Sequence, residues 1–383
     1  MRLRSAIVTS GLALALLFTS GVARAQYTNT KLVSNQEKTA KFVDPLVVNA
    51  WGLVSSPTSP WWISDNGSGW STLYNGDGSK VPLNVSIPTA GGDGPGTPTG
   101  IVFNGTSDFK ISGSSAIFIF ATLDGTISGW NPAVNPNSAV VAVPSTGAMY
   151  TGLTSSSKAS GNFLFAADGA NNKVDIFDST FKLVGSFTDS SIPSSFGVYG
   201  IRDFGGLVYV TYASVTNGSG GFIDIFSENG TLLKQLTNGK PLNQPWGLAI
   251  APPNFGAFSN TLLVGNNSEA GTINAFNAIT GAFVGTLKNA NGDPIGINLL
   301  WGLSFGSGTA ANGATNQLFY TAGSGEYATG TFGVISPQNE PSKIFETRLK
   351  LENARARRPI LRGQPSPFTP PFHLALLAPA ALT

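Results

Sequence analysis

The sequence predicts an all-β protein, a six-bladed β-propeller, because one short motif recurs at a nearly constant spacing. In this motif a glycine is followed by leucine or isoleucine and then by alternating apolar residues. The six motif glycines are Gly52, Gly100, Gly152, Gly200, Gly247 and Gly302, and they lie 48, 52, 48, 47 and 55 residues apart. A repeat of about 40–50 residues that holds several short strands is typical of propeller blades.

The segments between the motif glycines support the same architecture. Each repeat contains a short apolar strand, a turn rich in Gly, Asn and Asp, and a second strand, as in residues 61–74, 163–177 and 262–276. Alternating apolar residues around such turns are typical of β-hairpins. No segment shows a sustained helical period, so we expect little helix.

The two ends of the propeller predict how the ring closes. The sixth repeat stops near Pro337, only 35 residues after Gly302, and so lacks its outer strand. A spare strand-like segment lies at about residues 30–35. Pairing the two would complete the sixth blade and leave no long exposed sheet edge. We therefore predict that an N-terminal strand closes the ring.

Both termini differ from the repeats. Residues 1–25 have a basic start, an apolar run at 11–18 and the cleavage pattern Ala23-Arg24-Ala25, which together predict a signal peptide and a mature chain that starts at Gln26. The predicted propeller is residues 26–337. Residues 338–383 are rich in Arg and Pro and have no turn-strand period, which predicts a disordered tail. We expect a secreted protein, extracellular or periplasmic, with no transmembrane span once the signal is cleaved.

Composition excludes several kinds of chemistry. The chain has no cysteine, and its one histidine is His373 in the predicted tail. Disulfides, thiol nucleophiles, Ser-His catalysis and histidine-ligated zinc are therefore not expected in the propeller. Residues 26–337 carry a net charge of −5 and a single arginine, Arg202. A nucleic-acid partner is not expected, because such partners need a basic surface.

Several motifs resemble an uncharacterised family of secreted bacterial proteins that are predicted propellers, over about residues 30–337. The motifs are NAWGL (49–53), SDNGSGWSTLYNGDG (64–78), GPGTPTGIVFN (94–104), ATLDGTISGWN (121–131), PWGLAIAP (245–252) and LLWGLSFG (299–306). Some members of that family carry a C-terminal exosortase sorting signal, whose motif order is absent from this tail. Members usually have histidine in turns that here read Gly169-Ala170-Asn171 and Tyr327-Ala328-Thr329, so a role that rests on those histidines is not implied.

A second, weaker resemblance is to NHL repeats. The segment FLFAADGANNKVDIFDS (163–179) is similar to their pattern of an apolar strand, an aspartate, a short turn with asparagine and a second strand. NHL-type and gluconolactonase-like propellers include both binding modules and metal-dependent enzymes. The resemblance therefore implies a fold and leaves the activity open.

The repeat register places a set of polar and aromatic residues on one face of the ring. This face carries the loops that enter the innermost strands and the turns between the second and third strands. The candidate ligand-binding residues there are Asp65, Asn66, Asp93, Asp124, Asp168, Asn266, Asn267, Trp51, Trp246 and Trp301. The three tryptophans recur at the repeat period, so we expect them to pack between adjacent blades as well.

Asp65, Asp124 and Asp168 suggest a possible Ca²⁺ site, since carboxylates are ligands that this hard cation prefers. The alternative is that each aspartate binds its own turn, as Asp and Asn commonly do.

Three function classes remain open from the sequence, one of which is a passive envelope or matrix component. The first is a binding or scaffold propeller for a small ligand, a glycan or a protein, which the lack of a nucleophile-base set favours. The alternative is a metal-dependent hydrolase, lactonase or lyase of the gluconolactonase-like kind, which the acidic turns suggest.

Overall fold

The computed structural model describes residues 26–145, 147–158 and 161–338. These residues form six radial sheets, together with a two-stranded hairpin and one 3₁₀ turn at Gly256–Phe258. The all-β, six-bladed propeller predicted from the repeat is thus confirmed. The predicted signal peptide and the predicted tail from residue 339 onward lie outside the described residues.

The chain begins with two strands that belong to the last blade, β1 (Tyr27–Ser34) and β2 (Phe42–Val43). It then builds the blades in order, and in each the first strand, A, is innermost and the fourth, D, is outermost. Blade 1 consists of β3 (Ala50–Val54), β4 (Trp61–Asp65), β5 (Trp70–Tyr74) and β6 (Lys80–Ser86). Blade 2 consists of β7 (Pro98–Phe103), the inserted hairpin β8 (Lys110–Ile111) and β9 (Ser114–Ser115), and then β10 (Phe118–Thr122), β11 (Ile127–Trp130) and β12 (Val140–Val143).

The other four blades follow the same order. Blade 3 consists of β13 (Tyr150–Lys158), β14 (Gly161–Asp168), β15 (Lys173–Phe177) and β16 (Leu183–Phe187). Blade 4 consists of β17 (Phe196–Asp203), β18 (Leu207–Ser214), β19 (Phe222–Ser227) and β20 (Leu232–Asn238). Blade 5 consists of β21 (Pro245–Ile250), β22 (Thr261–Asn266), β23 (Ile273–Asn277) and β24 (Phe283–Thr286). Blade 6 begins with β25 (Leu300–Phe305), β26 (Leu318–Ser324) and β27 (Thr329–Pro337).

The N-terminal strand completes blade 6, as predicted. Strand β1 pairs antiparallel with β27, from Tyr27 opposite Pro337 to Ser34 opposite Thr331. Tyr27 is buried, and its hydroxyl donates to the carbonyl of Phe255 in blade 5. Strand β2 then pairs in parallel with β1 and covers part of the outer edge. The closing strand begins three residues before the predicted start at Thr30.

The recurrence of the motif glycine has a steric explanation, which lies in the contacts between blades near the axis of the ring. A Cβ atom added to Gly247 would lie 2.3 Å from the carbonyl oxygen of Trp301 in the next blade. The same 2.3 Å separates an added Cβ on Gly52 from the oxygen of Thr99, and an added Cβ on Gly200 from the oxygen of Trp246. At these three positions the innermost strands approach one another so closely that only glycine fits, whereas an added Cβ at the motif glycine Gly152 would lie 3.3 Å from its nearest neighbour, Ile201.

Threonine side chains of A and B strands bind the innermost strand of the next blade. Each of these buried or half-buried hydroxyls donates to a main-chain carbonyl at the start of the next blade. The pairs are Thr99 with Tyr150, Thr151 with Tyr199, Thr211 with Pro245, and Thr321 with Trp51. The last pair joins blade 6 to blade 1, so the bonds also hold the point of closure.

Apolar side chains fill the spaces between neighbouring blades. Between blades 3 and 4, for example, Phe165 and Phe187 pack with Val208 and Phe226. The rings of Phe187 and Phe226 lie 4.6 Å apart between their centroids. Both faces of each sheet are covered in this way. The polar residues that could bind a ligand therefore lie in the loops and turns.

Candidate functional site

The loops that enter the A strands and the turns between the B and C strands lie on one face, which we call the upper face. The connectivity requires this arrangement, because consecutive strands in every blade are antiparallel.

Three tryptophans meet at the axis on the upper face. Trp51 and Trp301 belong to neighbouring blades and stack with ring centroids 3.6 Å apart. Trp246 meets both edge-on, at 6.2 Å from Trp51 and 5.6 Å from Trp301. Trp51 and Trp301 are buried, whereas Trp246 is half-buried. Trp51 and Trp301 thus pack between adjacent blades, whereas Trp246 of blade 5 reaches across the ring and donates its indole N–H to the carbonyl of Thr151 in blade 3.

Two candidate asparagines connect neighbouring blades. Asn66 donates to the carbonyl of Pro98 at the start of blade 2, and Asn267 donates to the carbonyl of Leu300 at the start of blade 6. Both residues follow the last residue of a B strand, so they occupy the same place in the repeat. Asn66 also accepts from Asn49. These amides brace the ring, and both are buried.

The aspartates of the calcium hypothesis lie in three different blades. Asp65 is fully buried and accepts two hydrogen bonds from Thr72, while burial raises its pKa well above the ordinary value. Asp168 accepts from the main-chain N–H of Met149 and from Asn171 in its own turn.

Asp124, the third of these aspartates, binds the neighbouring loop. It accepts from Thr122 and Thr126 in its own turn and from the main-chain N–H of Ala90. Burial alone would raise the pKa of Asp124, but these hydrogen bonds outweigh it and lower the pKa. Asp93 in the same loop is exposed to solvent.

The three aspartates do not converge. Within the described part of the chain, no group of three or more His, Cys, Asp or Glu side chains is placed to hold a metal ion. Each carboxylate instead accepts hydrogen bonds from nearby turn and loop residues, as the alternative interpretation expects.

A cavity of about 660 Å³ lies on the upper face across blades 4, 5 and 6. It is lined by aromatic, amide and hydroxyl groups, with one carboxylate and no Lys, Arg or His. The lining residues are Tyr199, Asn217, Pro241, Asn243, Gln244, Asn266, Asn267, Ser268, Glu269, Ala270, Thr272, Leu299 and Tyr327. Its volume is within the usual range for small-molecule sites.

The inner wall of the cavity is held rigid by hydrogen bonds. Tyr199 donates its hydroxyl to Asn267 at 3.0 Å, and Asn266 donates to the carbonyl of Pro241 at 2.9 Å. Gln244 donates to the carbonyl of Ser214. Burial raises the pKa of Tyr199 well above its ordinary value, and Tyr327 adds to the effect, so the hydroxyl of Tyr199 remains a donor.

The outer wall carries polar groups that no described residue satisfies. The side chains of Asn217, Asn243, Ser268, Glu269 and Tyr327 make no hydrogen bond to any other described residue. Together they offer two amides, two hydroxyls and a carboxylate. A ligand in the cavity would find a fixed inner wall and unoccupied donors and acceptors around it.

The backbone around the cavity adopts conformations that non-glycine residues seldom take. Gln244 and Leu299 have φ values of 55° and 50°, and each stands two residues before the tryptophan of its blade. Asn49 stands in the same place in blade 1, with φ of 46°. Such left-handed residues are enriched at functional sites.

The central tryptophans adjoin this cavity through two tyrosines. The ring centroids of Tyr199 and Tyr327 lie 5.7 Å and 6.5 Å from that of Trp301. Of the residues predicted from the sequence, the cavity includes only Asn266 and Asn267. It adds Tyr199, Asn243 and Tyr327. Tyr199 directly precedes the motif glycine Gly200, as the three tryptophans precede theirs, so the repeat did contain a signal for it. Asn243 and Tyr327 have no common position in the motif, and repeat reasoning missed them.

The fold and the cavity define the class of protein, a six-bladed β-propeller with a polar cavity on its upper face. No protein-family model matches the sequence. Two uncharacterised proteins of Acanthamoeba polyphaga mimivirus are similar to it. R648 is 30% identical over 327 residues, which cover 79% of this chain and 78% of R648, and L690 is 30% identical over 296 residues, which cover 71% and 77%. The chain belongs to the family of these proteins.

Solved structures show the same fold at low sequence identity. A glucose dehydrogenase matches with a TM-score of 0.52 and 10% identity, over 82% of this chain and 99% of that one. A gluconolactonase from Xanthomonas campestris matches with a TM-score of 0.51 and 10% identity, over 76% and 87%. These likenesses show the fold alone, so the metal-dependent enzyme alternative and the resemblance to secreted bacterial proteins stay predictions. No helix among the described residues is long and apolar enough to cross a membrane.

Proposed function

We propose that this protein is an exported binding propeller. It holds a neutral, hydroxyl-rich ligand of the glycan class in the cavity of blades 4 to 6. The observation that carries the proposal is that five polar side chains of the cavity, which solvent can reach, make no hydrogen bond to another described residue and stand beside a rigid, amide-rich wall. Because that wall contains no basic residue, a phosphate or other strong anion would meet no positive charge.

The chemistry of the lining matches that of a sugar. A sugar hydroxyl both donates and accepts, as do the amides of Asn217 and Asn243 and the hydroxyl of Ser268. Glu269 adds an acceptor, and the rings of Tyr199 and Tyr327 offer apolar surface with a polar edge. Several such hydrogen bonds, each worth about 1 kcal/mol net, suit a ligand of moderate affinity.

The first test is binding of the mature chain to a glycan array, followed by calorimetry with the best-bound sugar. We expect Asn243→Ala and Glu269→Ala each to weaken binding about fivefold to tenfold, because each removes a hydrogen bond to the ligand. The melting temperature should stay unchanged, since neither side chain is bonded within the described protein.

The matched control is Asn254→Ala. Asn254 is an exposed residue of blade 5 in the loop between its A and B strands, and therefore on the opposite face. It should bind like the wild type. An array with no bound glycan, or equal losses in the control and the two cavity variants, would contradict the proposal.

Export is part of the proposal and is supported by the pattern of residues 1–25. Strand β1 begins at Tyr27, so cleavage after Ala25 would leave every residue of the closing strand in place. We expect full-length chain expressed in a bacterial host to be recovered outside the cytoplasm with Gln26 as its first residue, as measured by fractionation and intact mass. Recovery of uncleaved chain in the cytoplasm alone would refute export.

A further inference from the structure

A pair of buried carboxylates in blade 4 has no positive partner in the described protein. Asp224 is the third residue of β19 and is fully buried. Neither of its carboxylate oxygens makes a hydrogen bond of normal geometry, although the side chains of Asp189, Gln235 and Tyr212 lie close enough to affect its pKa. Burial, and then the nearby carboxylate of Asp189, raises the pKa of Asp224 to about 7. Asp189 lies in the loop that leads from blade 3 into blade 4 and is 8% exposed.

The phenol of a tyrosine is the third member of this group of buried oxygen-bearing side chains. Tyr212 lies on the neighbouring strand β18, is 1% exposed, and its hydroxyl also has no hydrogen-bond partner. Tyr212 pairs with Phe222 across β18 and β19, so its side chain lies on the same face of the sheet as that of Asp224, two residues further along. Burial, and then the carboxylates of Asp224 and Asp189, raises the pKa of Tyr212. With Oδ2 of Asp189, four buried oxygen atoms of three residues are left unsatisfied at this point.

In the neighbouring blade 3, the carboxylate at the same position of the repeat is paired with a positive charge. Asp175 is the third residue of β15, as Asp224 is of β19, and its carboxylate lies 2.7 Å from Nζ of Lys173. Lys173 is the first residue of β15, and the first residue of β19 is Phe222. Blade 4 thus lacks the built-in cation of blade 3 and has a second carboxylate instead.

Two ionised carboxylates cannot remain side by side in a buried site without a positive charge, because desolvation and mutual repulsion both oppose it. Carboxylate and phenol oxygens are hard ligands, and hard divalent cations prefer oxygen. The exposed residues Ser190 and Ser191 follow Asp189 directly, so an ion would have a short path from solvent.

We propose that Asp189, Asp224 and Tyr212 form a binding site for one divalent cation, Ca²⁺, which takes the place in blade 4 that Nζ of Lys173 takes in blade 3. The site lies apart from the cavity of blades 4 to 6 and from Asp65, Asp124 and Asp168. Its role is structural, because it joins the entry loop of blade 4 to the sheet of that blade.

The test measures the melting temperature of the mature chain in EDTA and after addition of Ca²⁺, at constant ionic strength. We expect Ca²⁺ to raise the wild-type melting temperature by about 5 °C, since a ligand that binds only the folded state stabilises it. Asp224→Asn should abolish the rise. The matched control Asp175→Asn, which alters the carboxylate paired with Lys173, should keep it.

A second measurement does not depend on stability. Tb³⁺ in the site should show emission sensitised by Tyr212, and Ca²⁺ should displace it. Asp189→Asn should abolish this emission, which keeps the test decisive if Asp224→Asn fails to fold. A wild-type melting temperature that does not respond to Ca²⁺, together with no sensitised Tb³⁺ emission, would overturn the proposal and show that the two carboxylates share a proton instead.

Discussion

Single residues at the axis decide how tightly the blades pack. The carbonyl of Trp301 lies so near Gly247 that any side chain there would overlap with the next blade, and the same holds for Gly52 against Thr99. The motif glycine is therefore a packing residue, and its recurrence reflects the repeated contact between innermost strands.

The variant Gly247→Ala tests this steric role. We expect a loss of about 2–3 kcal/mol in the free energy of unfolding, because the added methyl group overlaps a main-chain oxygen that cannot move without shifting blade 6. Urea unfolding followed by fluorescence would measure it. The control is Gly185→Ala in the outer strand of blade 3, where an added Cβ would meet only Ile176, at 3.9 Å. Equal stability of the two variants would refute the explanation.

Among the elements, the N-terminal strand β1 has the largest effect on the ring. It provides the outer strand of blade 6 and buries Tyr27, Leu32 and Val33. Its partner β27 would otherwise present an open edge with unpaired main-chain groups. Closure thus couples the start of the described chain to its end.

Removal of residues 26–34 tests the contribution of β1. Burial of three such side chains is worth roughly 6 kcal/mol, so we expect the melting temperature to fall by roughly 15 °C. Differential scanning calorimetry would measure the change. The double substitution of the exposed residues Thr28 and Thr30 by alanine leaves the strand in place and should cause little change. A truncated chain as stable as the wild type would show that the ring closes without β1.

At the scale of the whole molecule, a regular ring carries irregular loops. Blades 1 and 2 use their upper-face polar residues internally, as Asn66 does with Asn49 and Pro98, and Asp124 does with Ala90. Blades 4 to 6 instead leave polar side chains without partners, and there the cavity lies. The proposed binding function therefore depends on the differences between blades, whereas stability depends on what they share.

The sequence alone determined the six blades, the motif glycines and the closing strand, because those features repeat along the chain and each reflects local alternation and turn chemistry. Only the tertiary structure decided which polar side chains have a hydrogen-bond partner within the protein. Trp301 donates to Asn49, 252 residues away in sequence, and Tyr199 donates to Asn267, 68 residues away. The partners of a polar side chain are chosen by loops from different blades, and no local pattern records that choice. For the same reason, the tertiary structure alone revealed the unmatched pair Asp189 and Asp224.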